Sequence, residues 1–291
     1  MPKISVLIPV FNCEKTICRC IDSLLNQTYK DFEVIVVNNC STDNTLHLLS
    51  GYKNIKVYNK KRTTIGDSRN YLIKKCTTDY FFFLDGDDYL ENNCLELLYN
   101  EIISSQSDLV MGLTDNVLID KIILDDDKYD YLFNNKLPYF VTCWNKLYRT
   151  KVFKDLNFPS YNLAEDEFII HHILKRTNKI VIVPCKTYNY TISNNGLSSK
   201  IYDNFMDAFN AFYDRLLFFE NTKYERNMYR RLENYIIEIY CLLKFDHFNS
   251  INVMNYYNNI FNFRFSSLKG LIFRYLPNCI YLLRKWRRLK K

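Results

Sequence analysis

A chain of 291 residues with 48% hydrophobic content is long enough to bury a full core, as one large domain or a domain with an appendage, which excludes a disordered or fibrous protein. Its formal net charge of +7 is unevenly placed: nine basic and no acidic residues follow Asp246, and everything before is slightly acidic. The basicity therefore belongs to a tail and does not mark the whole surface as a nucleic-acid binder.

In chain order, Ile4 to Val10 (ISVLIPV) and Phe32 to Val37 (FEVIVV) are apolar, β-branched runs of strand length, and between them Ile17, Ile21, Leu24 and Leu25 share one helical face. That is a β-α-β unit with a parallel pair. Ile4 to Val10 is far too short to span a bilayer and has no signal-peptide context, so a cytoplasmic protein is expected. Cys18 and Cys20 lie two apart on the helix and no CxxC pair occurs among the 10 cysteines, which predicts free thiols in a reducing compartment.

Ile55 to Tyr58 reads as a short strand, Ile65 to Cys76 as a helix, Tyr80 to Leu84 (YFFFL) as a buried strand, Asn92 to Ser104 as a helix and Leu109 to Met111 as a strand. This alternation predicts an α/β fold built on a doubly wound, mostly parallel sheet with helices on both faces. After about residue 113 the pattern loosens into an acidic run at Asp125 to Asp127 and an aromatic segment from Tyr139 to Tyr148. A helix from about Asp166 to Arg176 and a strand from Ile180 to Val183 follow. From Ile201 only helices are expected, with Phe205, Phe209, Phe212, Leu216 and Phe219 at core-facing spacing.

At the C-terminus, Ile280, Tyr281, Leu282, Leu283, Trp286 and Leu289 interleave with Arg284, Lys285, Arg287, Arg288, Lys290 and Lys291, beyond a break at Pro277. That mix suits an interfacial helix on an anionic membrane; a solvated helix packed on its own domain is the competing reading.

Ligands of such sheets bind beyond the carboxyl ends of the strands, so residues after Val10, Val37 and Leu84 should line one crevice. There Asp85-Gly86-Asp87-Asp88 places three carboxylates within four residues directly after an apolar strand. Their repulsion calls for a hard divalent cation such as Mn²⁺ or Mg²⁺ or for a set of donors. For Asp88 alone, a cap on the helix starting near Glu91 is the plain alternative. No glycine precedes Gly51 and no two glycines lie within five positions, which rules out a P-loop and a dinucleotide fingerprint. A diphosphate would have to be held by metal and basic side chains, with Arg69 and Lys61 the nearest in sequence.

The runs ISVLIPVFN (Ile4 to Asn12), IDSLLNQTY (Ile21 to Tyr29), FEVIVVNNCSTDNT (Phe32 to Thr45), GDSRN (Gly66 to Asn70) and YFFFLDGDDY (Tyr80 to Tyr89) together resemble the inverting family-2 glycosyltransferases of the GT-A fold. WNKLY (Trp144 to Tyr148) and AED (Ala164 to Asp166) extend the likeness more weakly. The resemblance covers roughly residues 1–195 and implies a nucleotide-sugar-binding half over residues 1–112 and an acceptor-binding half over 113–200, and the helical pattern adds a C-terminal region over 201–291.

It implies nucleoside contacts from the segment holding Pro9 and Phe11 and from the pair after the second strand. That pair is Asn38 and Asn39 here in place of the usual acids, and the Asn39 amide oxygen is left to accept from a pyrimidine N3–H. Asp43 matches a following acidic position, with a helix N-terminal role as the alternative. By the same likeness Asp85 touches the ribose, Asp87 binds the metal bridging the diphosphate, and Asp166 is the general base.

The expected protein is thus a metal-assisted, inverting transferase that takes a sugar from a nucleoside diphosphate, a UDP-sugar by preference, to a glycan or glycolipid at a cell envelope. A sugar-nucleotide-binding protein that has lost catalysis is the rival from another class. A nucleotidyltransferase would want a glycine-rich, Arg-containing loop after the first strand, which Pro9-Val10-Phe11-Asn12 is not. Trp144 is weighed as a sugar platform against a core residue, and His171 and His172 are expected to be structural.

Overall fold

The computed structural model describes residues 2–116, 119–134, 137–191 and 204–245, with Phe273, Pro277 and Ile280. The chain divides into two compact units, Met1–Gly196 and Leu197–Lys291.

In the first unit β1 (Ile4–Val10), β2 (Phe32–Asn38), β3 (Ile55–Asn59) and β4 (Tyr80–Phe83) alternate with α1 (Ile17–Leu25), α2 (Thr45–Leu49) and α3 (Ile65–Lys75). Then come β5 (Tyr89–Leu90), α4 (Cys94–Ser105), β6 (Leu109–Leu113), β7 (Ile122–Leu124), α5 (Lys128–Asn134), β8 (Lys146–Arg149), α6 (Glu165–Arg176), β9 (Ile180–Lys186) and β10 (Tyr188–Asn189). The main sheet has the order β3-β2-β1-β4-β8-β6-β9-β7. β1 pairs in parallel with β2 and β4, and β6 with β9, while β8 runs antiparallel between β4 and β6. The expected mostly parallel α/β sheet is therefore present, and its order turns between β1 and β4, where open α/β sheets place their ligands.

The local sequence explains the frame. All seven residues of β1 are buried, as expected of a strand covered on both faces. Its one hydroxyl, Ser5, is satisfied by Glu33 at 2.7 Å and Thr78 at 2.8 Å. Pro9 is tolerated in this central strand because the β4 ladder has already ended at Leu7↔Phe83. On α1, Ile17, Cys20, Ile21 and Leu24 face the core. Leu25, expected with them, is 46% exposed, since consecutive helical residues point about 100° apart. A capping box closes the start of α3, with the Thr64 hydroxyl accepting from the Asp67 N–H and the Asp67 carboxylate returning to Thr64.

Sequence periodicity did not reveal β8, which lay inside the aromatic segment, nor the two-residue antiparallel pair of β5 with β10. That pair ties the chain after the acidic cluster to Tyr188 and Asn189.

In the second unit α7 (Phe205–Phe218) packs on α8 (Glu225–Phe245). Phe209, Leu216 and Phe219 are buried as expected; Phe205 and Phe212 are half-buried, the latter against Tyr235 at 5.2 Å. Among the described residues no helix is long and apolar enough to cross a membrane. Of the interfacial helix expected at the C-terminus, Ile280 is buried, and residues 281–291 lie outside the described residues.

The described cysteines form no disulfide, and they divide sharply by environment. Burial pushes the Cys13 thiol up to about 12 and raises Cys20, Cys94 and Cys143 as well, whereas Cys40 and Cys185 are exposed. A raised pKa removes the reactive thiolate at neutral pH, and burial blocks access besides. Brief iodoacetamide treatment at about pH 8, read by peptide mass, should label Cys40 and Cys185 and spare those four. Labelling of Cys20 or Cys94 at the rate of Cys40 would mean that the core is not closed.

Candidate active site

The carboxyl ends of β1, β2 and β4 converge on one crevice. The Asn39 N–H donates to the Val10 carbonyl at 2.9 Å, which joins the first two. The acidic loop after β4 is pressed onto the end of β1: a Cβ at Gly86 would lie 2.8 Å from Val10 Cγ1 and 3.2 Å from Cys13 Sγ. Glycine at that position is thus a matter of space.

Once there, the three carboxylates part company. Asp88 is buried, accepting from the Tyr188 hydroxyl at 2.6 Å and from the Thr191 N–H at 2.7 Å. Burial, with Asp85 nearby, pushes it up to about 8. It is therefore a bracket on the strand-end segment and does not cap a helix, since α4 begins only at Cys94, after Asn93. The Tyr188 hydroxyl also accepts from the Asp85 N–H at 3.3 Å, so one phenol joins both ends of the loop. Asp85 meets Arg69 Nη2 at 3.1 Å. Asp87 differs: among the described residues no side chain bonds its carboxylate, and burial raises its pKa while Arg19 opposes. A partly buried carboxylate held only by a backbone N–H, with no side chain bonded to it, fits a hard cation that takes few protein ligands and completes its shell from phosphate.

The segment Gly66 to Asn70 assembles the other wall, each residue with its own task. Gly66 brings α3 against the 158–161 loop so closely that a Cβ would lie 1.9 Å from the Pro159 carbonyl oxygen. Asn70 clamps that loop through Phe158, donating to its carbonyl and accepting from its N–H, both at 2.8 Å. Asp67 accepts from Ser160 at 2.7 Å. Arg69, 3% exposed, reaches Asp166 at 2.5 Å through Nη1, Glu165 at 3.5 Å through the same nitrogen, and Asp85 through Nη2. Arg69, expected as a diphosphate cation, is placed among three carboxylates and aligns the site from within.

Asp166 lies in the first turn of α6 and accepts a second bond, from the Cys143 N–H at 3.0 Å. That amide belongs to a loop gathered by Lys146, whose buried Nζ donates to the carbonyls of Tyr139 (3.0 Å), Thr142 (2.6 Å) and Trp144 (3.4 Å). Burial pushes Lys146 down to about 8. Sequence reading passed over Lys146, because nothing in WNKLY distinguishes a buried lysine from an exposed one. Trp144 is itself mostly buried, stacked on Tyr188 at 4.7 Å and on Tyr190 at 5.4 Å.

At the β2 end, Asn39 does not offer its amide oxygen to a base. Oδ1 accepts from the Thr63 N–H (2.8 Å) and hydroxyl (3.2 Å), while Nδ2 donates to the Thr63 carbonyl (2.8 Å). Asn39, expected at the base, thus clasps the loop after β3. Asn38 is likewise tied, to Asn59 and to the Ser41 N–H. Asp43 holds the turn before α2: burial opposes its ionisation, but bonds from Thr45 and the Glu14 N–H bring the net pKa down. Phe11 carries the Arg62 guanidinium 3.4 Å from its ring centroid. Lys61 was the expected cation here; Arg62, one residue further, is the one against the β1 end.

A doubly wound sheet with a carboxylate-rich crevice at its turning point defines a nucleotide-dependent α/β protein of the GT-A type. The chain belongs to glycosyl transferase family 2, whose profile matches residues 5–156. It is 25% identical over 81% of its length to the glycosyltransferase GlyA of Streptococcus pneumoniae, of which it covers 37%. It is 30% identical over 67% of its length to the poly(ribitol-phosphate) beta-glucosyltransferase of Bacillus spizizenii, of which it covers 33%. The chain thus spans only about a third of these relatives. The crystal structure of S. aureus TarS 1–349 in complex with UDP matches with a TM-score of 0.62 at 25% identity, over 80% of this chain and 70% of that one.

Removing the central cation tests the wall. Arg69→Met leaves buried carboxylates uncompensated and should cost about 3–5 kcal/mol in urea unfolding, with Arg69→Lys in between. A loss below about 1 kcal/mol would show that the carboxylates are neutral without it.

Proposed function

We propose that the protein transfers a sugar from a nucleoside diphosphate, a UDP-sugar, to a hydroxyl of a glycan or glycolipid polymer with inversion. The observation that carries this reading is that one buried arginine holds Asp85, on the donor side, and Asp166, across the crevice, in fixed relation. Family membership and the UDP bound to the TarS neighbour support the donor. The polymer-glycosylating relative supports the acceptor class.

Pro9, Phe11 and Arg62 frame the nucleoside end, and Asn39 and Asp43 shape it by holding its loops. Asp85 faces the ribose. Asp87 would hold Mn²⁺ or Mg²⁺, which supplies charge neutralisation for the departing diphosphate. Asp166, its two oxygens aimed by Arg69 and the Cys143 N–H, takes the proton of the acceptor hydroxyl as that oxygen attacks the anomeric carbon. The sugar–diphosphate bond breaks on the opposite face, so one displacement inverts the centre. Residues 1–112 would serve the donor and 113–200 the acceptor, with the basic tail seating the protein on the inner face of an anionic membrane.

Asp166→Asn should keep UDP affinity near that of the unaltered protein while lowering sugar transfer or slow donor hydrolysis by about 10²–10⁴. Asp87→Ala should erase the extra thermal stabilisation that UDP gains when Mn²⁺ is present. Parallel losses of UDP affinity and turnover in Asp166→Asn would remove it from the base role. Full metal-dependent turnover in Asp87→Ala would do the same for the metal.

A further inference from the structure

From Lys53 to Lys75 the chain carries eight cations (Lys53, Lys56, Lys60, Lys61, Arg62, Arg69, Lys74, Lys75) and one acid, Asp67. Arg69 is spent inside, and Lys56 pairs with Glu33 at 2.6 Å. The remaining six make no ion pair among the described residues. Asp67 lies near enough to Lys60 to feel its charge, but its oxygens are taken by Thr64 and Ser160. The slightly acidic N-terminal part of the chain therefore carries one segment of opposite sign.

That face is ordered. Lys60 lies over the Tyr71 ring at 4.6 Å, Lys75 over Tyr58 at 5.0 Å and Tyr71 at 5.4 Å, and the two tyrosines meet edge to face at 5.8 Å. Lys60 continues β3 at its carboxyl end, donating its N–H to the Asn38 carbonyl, and two residues on Arg62 covers Phe11. Cations and rings thus alternate from the C-terminus of α3 to the rim of the crevice.

Ordinary explanations cover part of this set. Lysines on β3 protect a sheet edge from pairing, and Lys74 and Lys75 complement the end of the α3 dipole. Neither accounts for Lys60, Lys61 and Arg62 in succession at the crevice rim. Like charges held together cost stability, and aromatic faces that fix their positions reduce the ordering entropy that a ligand would otherwise have to supply. A strip of spaced cations separated by rings fits a chain with regularly spaced anions and apolar or hydroxylated units between them.

We propose that the β3–α3 edge is a docking track for a polyanionic polymer of the phosphodiester type, running toward the crevice. That this polymer is the sugar acceptor rests on the function proposed above; that it binds here does not.

The test uses the full chain with two changes, Lys60→Glu and Lys75→Glu, and as a control of equal net charge Lys3→Glu with Lys154→Glu, both exposed lysines outside the Lys53–Lys75 segment. Binding is measured to linear polyphosphate, to neutral dextran and to phosphatidylglycerol vesicles, at low and high salt, and UDP affinity is followed alongside. The strip variant should weaken polyphosphate binding at low salt by roughly tenfold or more and flatten its salt dependence. The control should change it by less than about twofold, with UDP affinity unaltered in both.

Equal weakening in the two variants would overturn the proposal, since the basic tail and overall charge would then explain binding. So would loss of vesicle binding with polyphosphate binding intact, which would make the strip a membrane surface. Loss of UDP affinity in the unaltered protein would strike the function proposed above without touching the track.

Discussion

Arg69 keeps its charge at any accessible pH and is sealed from water, so the chain around it is obliged to supply anions. They come from two distant places in sequence: Asp85 after β4, and the adjacent pair Glu165 and Asp166 at the start of α6. Folding α3 onto the 158–161 loop through Gly66 and Asn70 is what allows one guanidinium to reach all three. Glu165, the most distant of the three, is pushed up by burial and by the neighbouring Asp166 charge. The shorter contacts of the guanidinium go to Asp166 and Asp85. A buried pair of this kind contributes geometry more than stability, because desolvation offsets most of its Coulomb energy.

The acidic loop follows the same logic of partners. Three carboxylates in four residues are tolerable only if each finds a different way to shed its repulsion. Asp85 takes Arg69, Asp88 takes a phenol and an amide, and Asp87 takes only a backbone N–H and the field of Arg19. Gly86 lets this sorting happen against the end of β1, where a methyl group would strike Val10. The short β5–β10 pairing brings Tyr188 close enough to bridge Asp85 and Asp88.

Most of the parallel half of the sheet was legible, since β1, β2 and β4 are apolar on both faces and leave runs that periodicity detects. β8 was not, because its four residues sit inside an aromatic segment whose neighbours look the same. The cluster at Asp85 to Asp88 was visible as a place for chemistry, but nothing local shows which acid is free. That depends on Tyr188 and Arg69, respectively about a hundred and sixteen positions away from the acids they meet. The clasp made by Asn39 was hidden for a similar reason, since its partner Thr63 lies on the loop after the next strand. Side-chain assignments fail where the deciding partner is set by topology.

Lys146 completes the electrostatics of the crevice. A lysine pushed down to about 8 by burial still carries its charge at neutral pH, and its nearest acid by influence is Asp166. The lysine satisfies its own donors on backbone carbonyls of the 139–144 loop, so it adds positive field at Asp166 without occupying either oxygen. Arg69 and the Cys143 amide set where the carboxylate points; Lys146 fixes the loop that carries that amide. The position of the carboxylate is therefore settled by the closing of α3, α6 and the 139–144 loop together, and no one of these elements could set it by itself.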